Sequence, residues 1–154
     1  MDISSCLTAS TIELDVKGST KPEILKSLVD VFAKDARFEN SSKVLAQLIE
    51  RENLKTTGIG SGVAIPHCKT AAVDRAHIVV GLSRRGIDFQ SLDKLPAHLF
   101  FLVVAPEEAG ATHLKICAQI ARLVKDPAFR EKLLEIQTAE EVVTFIKEKE
   151  SGLS

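Results

Sequence analysis

The chain has 154 residues, 45% hydrophobic and 27% charged, with a formal net charge of −1. That size suits one domain over 1–154, with an ordered core over about 5–150, and it lets the fold bury roughly 68–70% of its unfolded surface. The near-neutral balance excludes a general nucleic-acid binder, which needs a positive footprint, and no apolar run approaches the roughly 20 residues that cross a bilayer.

Thr11–Val16 alternates apolar and polar and predicts a strand. Ser19 or Thr20 can cap a helix starting near Lys21-Pro22-Glu23, with Ile24, Leu25, Leu28, Val31 and Phe32 on its apolar face. Ser41 or Ser42 caps a second helix, with Val44, Leu45, Leu48 and Ile49 facing inward and Arg51 near its C-terminal end. Thr56 to Gly62 carries three glycines at alternate positions, which no helix interior tolerates, and predicts a flexible, open loop. Val63-Ala64-Ile65 is a short strand that Pro66 stops, presenting His67 at its end.

Ala76–Leu82 is a further strand, and Leu99–Val104 is an apolar run suited to a central strand covered on both faces. Arg84-Arg85-Gly86 and Leu92–Pro96 read as turn-rich connectors. A helix follows from Ala111 to about Asp126, another begins at Pro127, and Thr138 with Glu141 has capping-box spacing for a last one. Fraying is expected in the last few residues. The layout is an α/β three-layer sandwich: a mixed sheet with helices on both faces. Cys6, Cys68 and Cys117 show no CxxC spacing and the N-terminus lacks a signal-peptide pattern, so the expected setting is reducing and cytoplasmic.

Three chemistries compete for the glycine–histidine segment. Gly58-Ile59-Gly60-Ser61-Gly62 lacks the third glycine of GxGxxG and is followed by a strand and proline where a nucleotide loop needs a helix. A zinc site could draw on His67, Cys68, His113 and Cys117. Against it, His67 and Cys68 are adjacent on an extended segment and point to opposite sides, and Cys117 fits an apolar helix stripe with Leu114, Ala118 and Ala121. A nucleophilic histidine is the third: His67 could attack phosphorus if one ring nitrogen is held and cationic groups or donors meet the phosphoryl oxygens. His113, Arg51 and glycine-loop amides are the candidates for that role. His77 and His98 read as structural or exposed.

Thr57-Gly58-Ile59-Gly60-Ser61-Gly62-Val63-Ala64-Ile65-Pro66-His67 resembles the phosphorylation-site signature of the fructose/mannitol/nitrogen-regulatory class of phosphotransferase-system IIA proteins. Gly86–Phe89 through Phe100–Pro106 is similar to that family's central hairpin, and Thr112–Lys115 through Ile120–Leu123 to its following helix. The resemblance implies that His67 is phosphorylated, through Nε2 with the other nitrogen held by a backbone carbonyl. It implies that His113 is the second active-site histidine and Arg51 the nearby arginine, with Thr57, Gly58, Gly60, Ser61 and Gly62 forming the phosphoryl or partner loop. It implies no cofactor and no metal, an HPr-like protein as donor, and a regulated protein or a IIB domain as acceptor. The solitary domain favours regulation over sugar transport. Two residues depart from the usual pattern: Ser61 stands where asparagine is common, and Cys68 where glycine is. A pure binding module and a zinc protein are the alternatives from other classes.

Overall fold

The computed structural model describes residues 2–36 and 40–152. It contains a six-stranded mixed sheet with five α-helices, the α/β sandwich expected from the sequence. The strands are β1 (Ile12–Glu13), β2 (Gly58–Gly60), β3 (Val63–Ala64), β4 (His67–Lys69), β5 (His77–Ile87) and β6 (Ala97–Ala105). The helices are α1 (Lys21–Ala36), α2 (Ser41–Leu54), α3 (Gly110–Val124), α4 (Pro127–Glu135) and α5 (Ala139–Ser151). Sheet order is β1-β5-β6-β3-β2, and β4 also pairs with β6.

Strand β6 organises the core. Its odd residues Leu99, Phe101 and Val103 pack in one cluster with Ile116, Ile120, Phe129, Leu133, Val142 and Ile146 of α3, α4 and α5. Its even residues Phe100, Leu102 and Val104 pack in the other, with Ile24, Leu28 and Phe32 of α1 and Val44 and Leu48 of α2. The period-2 alternation of a strand thus feeds two separate apolar layers, and a continuous apolar run satisfies both. Val31, Leu45 and Ile49 are only partly buried against the second layer.

Helix starts follow the capping signals. Thr20 and Glu23 cap α1 reciprocally: Thr20 Oγ1 accepts from Glu23 N (3.4 Å), and Glu23 Oε1 accepts from Thr20 N (3.1 Å). Thr138 Oγ1 accepts from Glu141 N at 3.2 Å to start α5. Helix α2 departs from expectation. Its cap is Asn40, with no side-chain bond, and both serines lie inside its first turn. The fraying expected at the end falls on 153–154, outside the described residues.

Three segments differ from the sequence reading. β1 is only two residues long, because Thr11 belongs to a 3₁₀ turn, although Val16 N still donates to Leu82 O (2.9 Å). Arg84-Arg85-Gly86 is not a connector but part of β5, at a register shift between Leu82 and Ile87. Arg84 is held there by donating to Leu134 O and Ile136 O (both 2.8 Å), and Arg85 by donating to Gly18 O (2.8 Å). Pro66 interrupts its strand rather than ending it. Proline lacks an N–H but keeps its carbonyl, which accepts from Val103 N at 2.9 Å, so β3 and β4 both run parallel to β6.

Among the described residues, no helix is long and apolar enough to cross a membrane.

Candidate active site

A cleft of about 520 Å³ opens where α2, β4 and α3 meet. Strand β4 supplies His67, Cys68 and Lys69; α2 supplies Glu50, Arg51 and Leu54; α3 supplies Gly110, His113 and Leu114. Three sequence-predicted residues, His67, His113 and Arg51, therefore converge from separate elements.

His67 is half-buried at the first position of β4, opposite Val103. Its Nδ1 donates to the Ile65 carbonyl at 2.8 Å. A carbonyl can only accept, so Nδ1 carries the proton and Nε2 keeps its lone pair. Burial lowers the His67 pKa; the Ile65 bond opposes that, and Arg51 adds to it. The ring stays neutral near pH 7.

His113 lies on α3 with its ring edge-on to His67, centroids 5.1 Å apart at 88°. It is 5% exposed, and Nδ1 is buried with no hydrogen-bond partner. Burial first, then His67, Lys69 and Arg51, pushes it down to about 4. Arg51 donates to Lys55 O at 3.0 Å, closing the end of α2, and its charge is felt by both histidines. One guanidinium thus serves a helix terminus and the cleft together.

The glycine segment is elsewhere and is built differently. Gly58–Gly60 forms β2, antiparallel to β3, and the turn at Ser61-Gly62 faces the Ala97–Leu99 end of β6. That lies about four residues from His67 along the sheet, roughly 13 Å at strand rise. Neither Thr57, Gly58, Gly60, Ser61 nor Gly62 lines the cleft. The turn is tied rather than open. Ser61 (φ 57°) and Gly62 (φ 80°) are left-handed, and Ser61 N donates to Asp93 Oδ2 at 2.9 Å. A Cβ on Gly58 would collide with Ser91.

Buried Glu52 links this segment to the histidine. Its carboxylate accepts from Thr57 N (2.6 Å), from Thr57 Oγ1 and from Lys21 Nζ (3.0 Å). Thr57 O then accepts from Ile65 N at 2.9 Å, and Ile65 O holds His67. The sequence reading missed Glu52, which carries no motif signal. It also missed Lys69, whose signal was present: two residues past His67 on a strand lies on the same side.

Cys68 points away from His67, as adjacent strand residues must, and its thiol packs with the α1/α2 core, where burial raises its pKa to about 12. Cys117 sits with the histidines instead: one ligand atom from each of His67, His113 and Cys117 lies within 4.8 Å of the other two. The buried stripe of α3 is His113, Ile116, Ile120, Leu123 and Val124, not the predicted Leu114, Ala118 and Ala121. Leu114 is instead 74% exposed at the cleft, across from Leu54 at 80%. His98 is structural, donating from Nδ1 to Ser83 O at 2.9 Å.

Residues 5–149 match the family described as phosphoenolpyruvate-dependent sugar phosphotransferase system, EIIA 2. The chain is 36% identical over 146 residues to a nitrogen regulatory protein of Bradyrhizobium diazoefficiens, covering 95% of each. It is 35% identical over 147 residues to a fructose-specific EIIA component of Haloferax volcanii, covering 96% of each. It also matches a fructose-specific EIIABC component of Bacillus subtilis at 34% identity, spanning 23% of that longer protein. The crystal structure of the nitrogen regulatory protein IIA-Ntr from Neisseria meningitidis superposes with a TM-score of 0.86 at 30% identity, covering 94% of this chain and 98% of that one.

Proposed function

The chain belongs to the EIIA 2 family of the phosphoenolpyruvate-dependent sugar phosphotransferase system, and from that premise we propose that His67 accepts a phosphoryl group from a phosphohistidine on a small HPr-like donor protein. The observation that carries this reading is the His67 Nδ1–Ile65 bond beside a second, buried histidine. The Nε2 lone pair attacks phosphorus in line. The P–N bond to the donor imidazole breaks as the new P–Nε2 bond forms, and the donor ring regains its lone pair. The Nδ1 proton of His67 stays where it is, and the Ile65 carbonyl stabilises the positive charge that develops on the ring.

His113 enters the reaction neutral, because burial holds its pKa near 4. A neutral ring offers one N–H to a phosphoryl oxygen, and the arriving negative charge then favours its protonation. Arg51 and Lys69 supply fixed positive charge at the same cleft. Gly110 opens α3 there, and Ala109 before it contributes no side-chain cap, so first-turn amides can meet an anion. The donor arrives already activated, so this chain's part is positioning and charge stabilisation. Exposed Leu54 and Leu114 give the cleft an apolar rim for a protein partner.

The acceptor we favour is a regulated protein, to which a phosphoryl group adding about −1.5 to −2 charges would present a changed surface. The likeness to nitrogen regulatory proteins supports it. The likeness to fructose-specific components favours a second reading, transfer to a IIB domain.

Incubation with phosphoenolpyruvate and the general phosphotransferase components tests the main reading. The wild type should gain an acid-labile, base-stable phosphate and His67→Ala should not; labelling that survives His67→Ala would sink it. Passage of label to a purified IIB domain decides for the second acceptor.

A further inference from the structure

We propose that His67, His113 and Cys117 form a three-ligand site for a borderline-soft divalent cation of the zinc class, and that an ion held there blocks phosphorylation of His67. The metal half stands on this chain's geometry alone; the inhibitory half rests on the phosphocarrier reading above.

The three ligand atoms come from two elements and lie within 4.8 Å of one another. His113 and Cys117 are i and i+4 on α3, one above the other on the same helix face. His67 faces them from β4, with Nδ1 already engaged by Ile65, so Nε2 is the nitrogen left to bind. That arrangement, a ring nitrogen fixed by a carbonyl while the other binds, is how ligating histidines are commonly oriented. The second pointer is His113 Nδ1, a fully buried nitrogen with no hydrogen-bond partner. Buried polar atoms are rarely left so, and each instance asks for a ligand, a water or a functional reason.

The donor set selects the ion. Two imidazoles and a thiolate suit zinc or cobalt, whereas magnesium and calcium require oxygen ligands. Bond lengths of about 2.0–2.1 Å to nitrogen and 2.3 Å to sulfur place tetrahedral ligands roughly 3.4–3.6 Å apart. The present spacing, up to 4.8 Å, is wider than that, so binding draws the three side chains together. Three protein ligands leave a fourth position facing the cleft. Arg51 and Lys69 beside it favour an anion or hydroxide there, and Glu50 also borders the cleft. Binding oxidises nothing: the ion takes two nitrogen lone pairs and a thiolate, and the Cys117 proton passes to solvent. The His67 Nε2 lone pair that would attack phosphorus is then occupied.

Titration of the purified full chain with Co²⁺ under reducing conditions reads the metal half. The wild type should show a thiolate-to-cobalt charge-transfer band in the near ultraviolet and intense tetrahedral visible bands, with one ion per chain displaced by one equivalent of Zn²⁺. Cys117→Ala and Cys117→Ser should both lose the charge-transfer band. A wild-type spectrum lacking that band, or one matching Cys117→Ala, overturns the site. The inhibitory half is read by phosphorylation with and without one equivalent of Zn²⁺. Wild-type labelling should fall at least tenfold, while Cys117→Ala, folded and labelled normally without zinc, should be unaffected. Equal inhibition of both proteins places the zinc effect on another component and overturns this half. The cobalt spectrum reads the site even if His67 takes no phosphate, so the two readings fail separately.

Discussion

The two ends of the interrupted β3–β4 strand were written as one motif and do different work. At the Gly58–Gly62 end the chain is fastened: left-handed φ angles, an Asp93 bond to Ser61 and a close approach to Ser91 hold a hairpin that does not line the cleft. At the His67 end a half-buried ring faces a second histidine, two cations and an apolar rim. Between them a relay of hydrogen bonds, from Glu52 through Thr57 and Ile65 to His67 Nδ1, carries the rigidity of one end to the orientation of the other. A glycine-rich segment next to a histidine cleft need not line it; here it braces the strand that presents His67.

Substitutions at each end separate these roles. The largest effect is expected at the histidine end. His113→Asn should slow phosphorylation by about 10²–10³-fold, the range for removing one donor to developing negative charge, while leaving thermal stability comparatively unchanged at pH 7. Single-turnover labelling checks it, and a loss below threefold would remove His113 from the site.

Glu52→Ala should act through folding. It strands two Thr57 donors and leaves the Lys21 ammonium, stacked on Phe89, without its carboxylate. Breaking a buried pair on one side costs about 3–5 kcal/mol, read as a fall in urea midpoint. Phosphorylation of the folded fraction should weaken too, because the His67 tautomer depends on the same relay.

The titration of His113 gives a third separation. Its ordinary value is 6.5, and burial, with His67, Lys69 and Arg51 adding to it, holds it at about 4 in the fold. Between those values the unfolded chain binds a proton that the folded chain refuses. Stability should therefore fall as pH drops from 6.5 to 4, by up to about 3 kcal/mol from this group. Denaturation in the presence of a chelator should show a shallower acid loss for His113→Asn than for wild type; parallel curves would contradict the assignment.

The smallest effect is expected at the glycine end. Gly62→Ala meets only ordinary contact with His98 at 3.5 Å, so its cost is the positive φ of 80°, about 1–2 kcal/mol. Labelling of the folded protein should stay within twofold of wild type. A large labelling defect without unfolding would bring the hairpin into the reaction and erase the contrast between the two ends.

Much of this was legible in the sequence where one physical signal dominated. Ser19 or Thr20 before Lys21-Pro22, and Thr138 before Glu141, announced helix starts because such side chains bond neighbouring amides. The unbroken run in β6 announced a strand covered on both faces. His67, His113 and Arg51 were legible as residue types, and the fold brings all three to one cleft. Other features depended on partners distant in the chain. Arg84 and Arg85 looked like a turn because their acceptors, Leu134, Ile136 and Gly18, lie far off in sequence. Pro66 looked like a terminus because only the register against Val103 shows its carbonyl still paired. The α3 stripe was misphased because apolar residues surround that helix, so periodicity could not tell exposed Leu114 from buried Ile116.

The central claim is that the Ile65 carbonyl holds His67 so that Nε2 alone attacks phosphorus. Nitrogen-15 NMR of the histidine-labelled chain, before and after phosphorylation, measures it directly. The account predicts a protonated Nδ1 on neutral His67 before transfer and a one-bond phosphorus–nitrogen coupling at its Nε2 afterwards. A coupling at Nδ1 of His67, or at either nitrogen of His113, would contradict it.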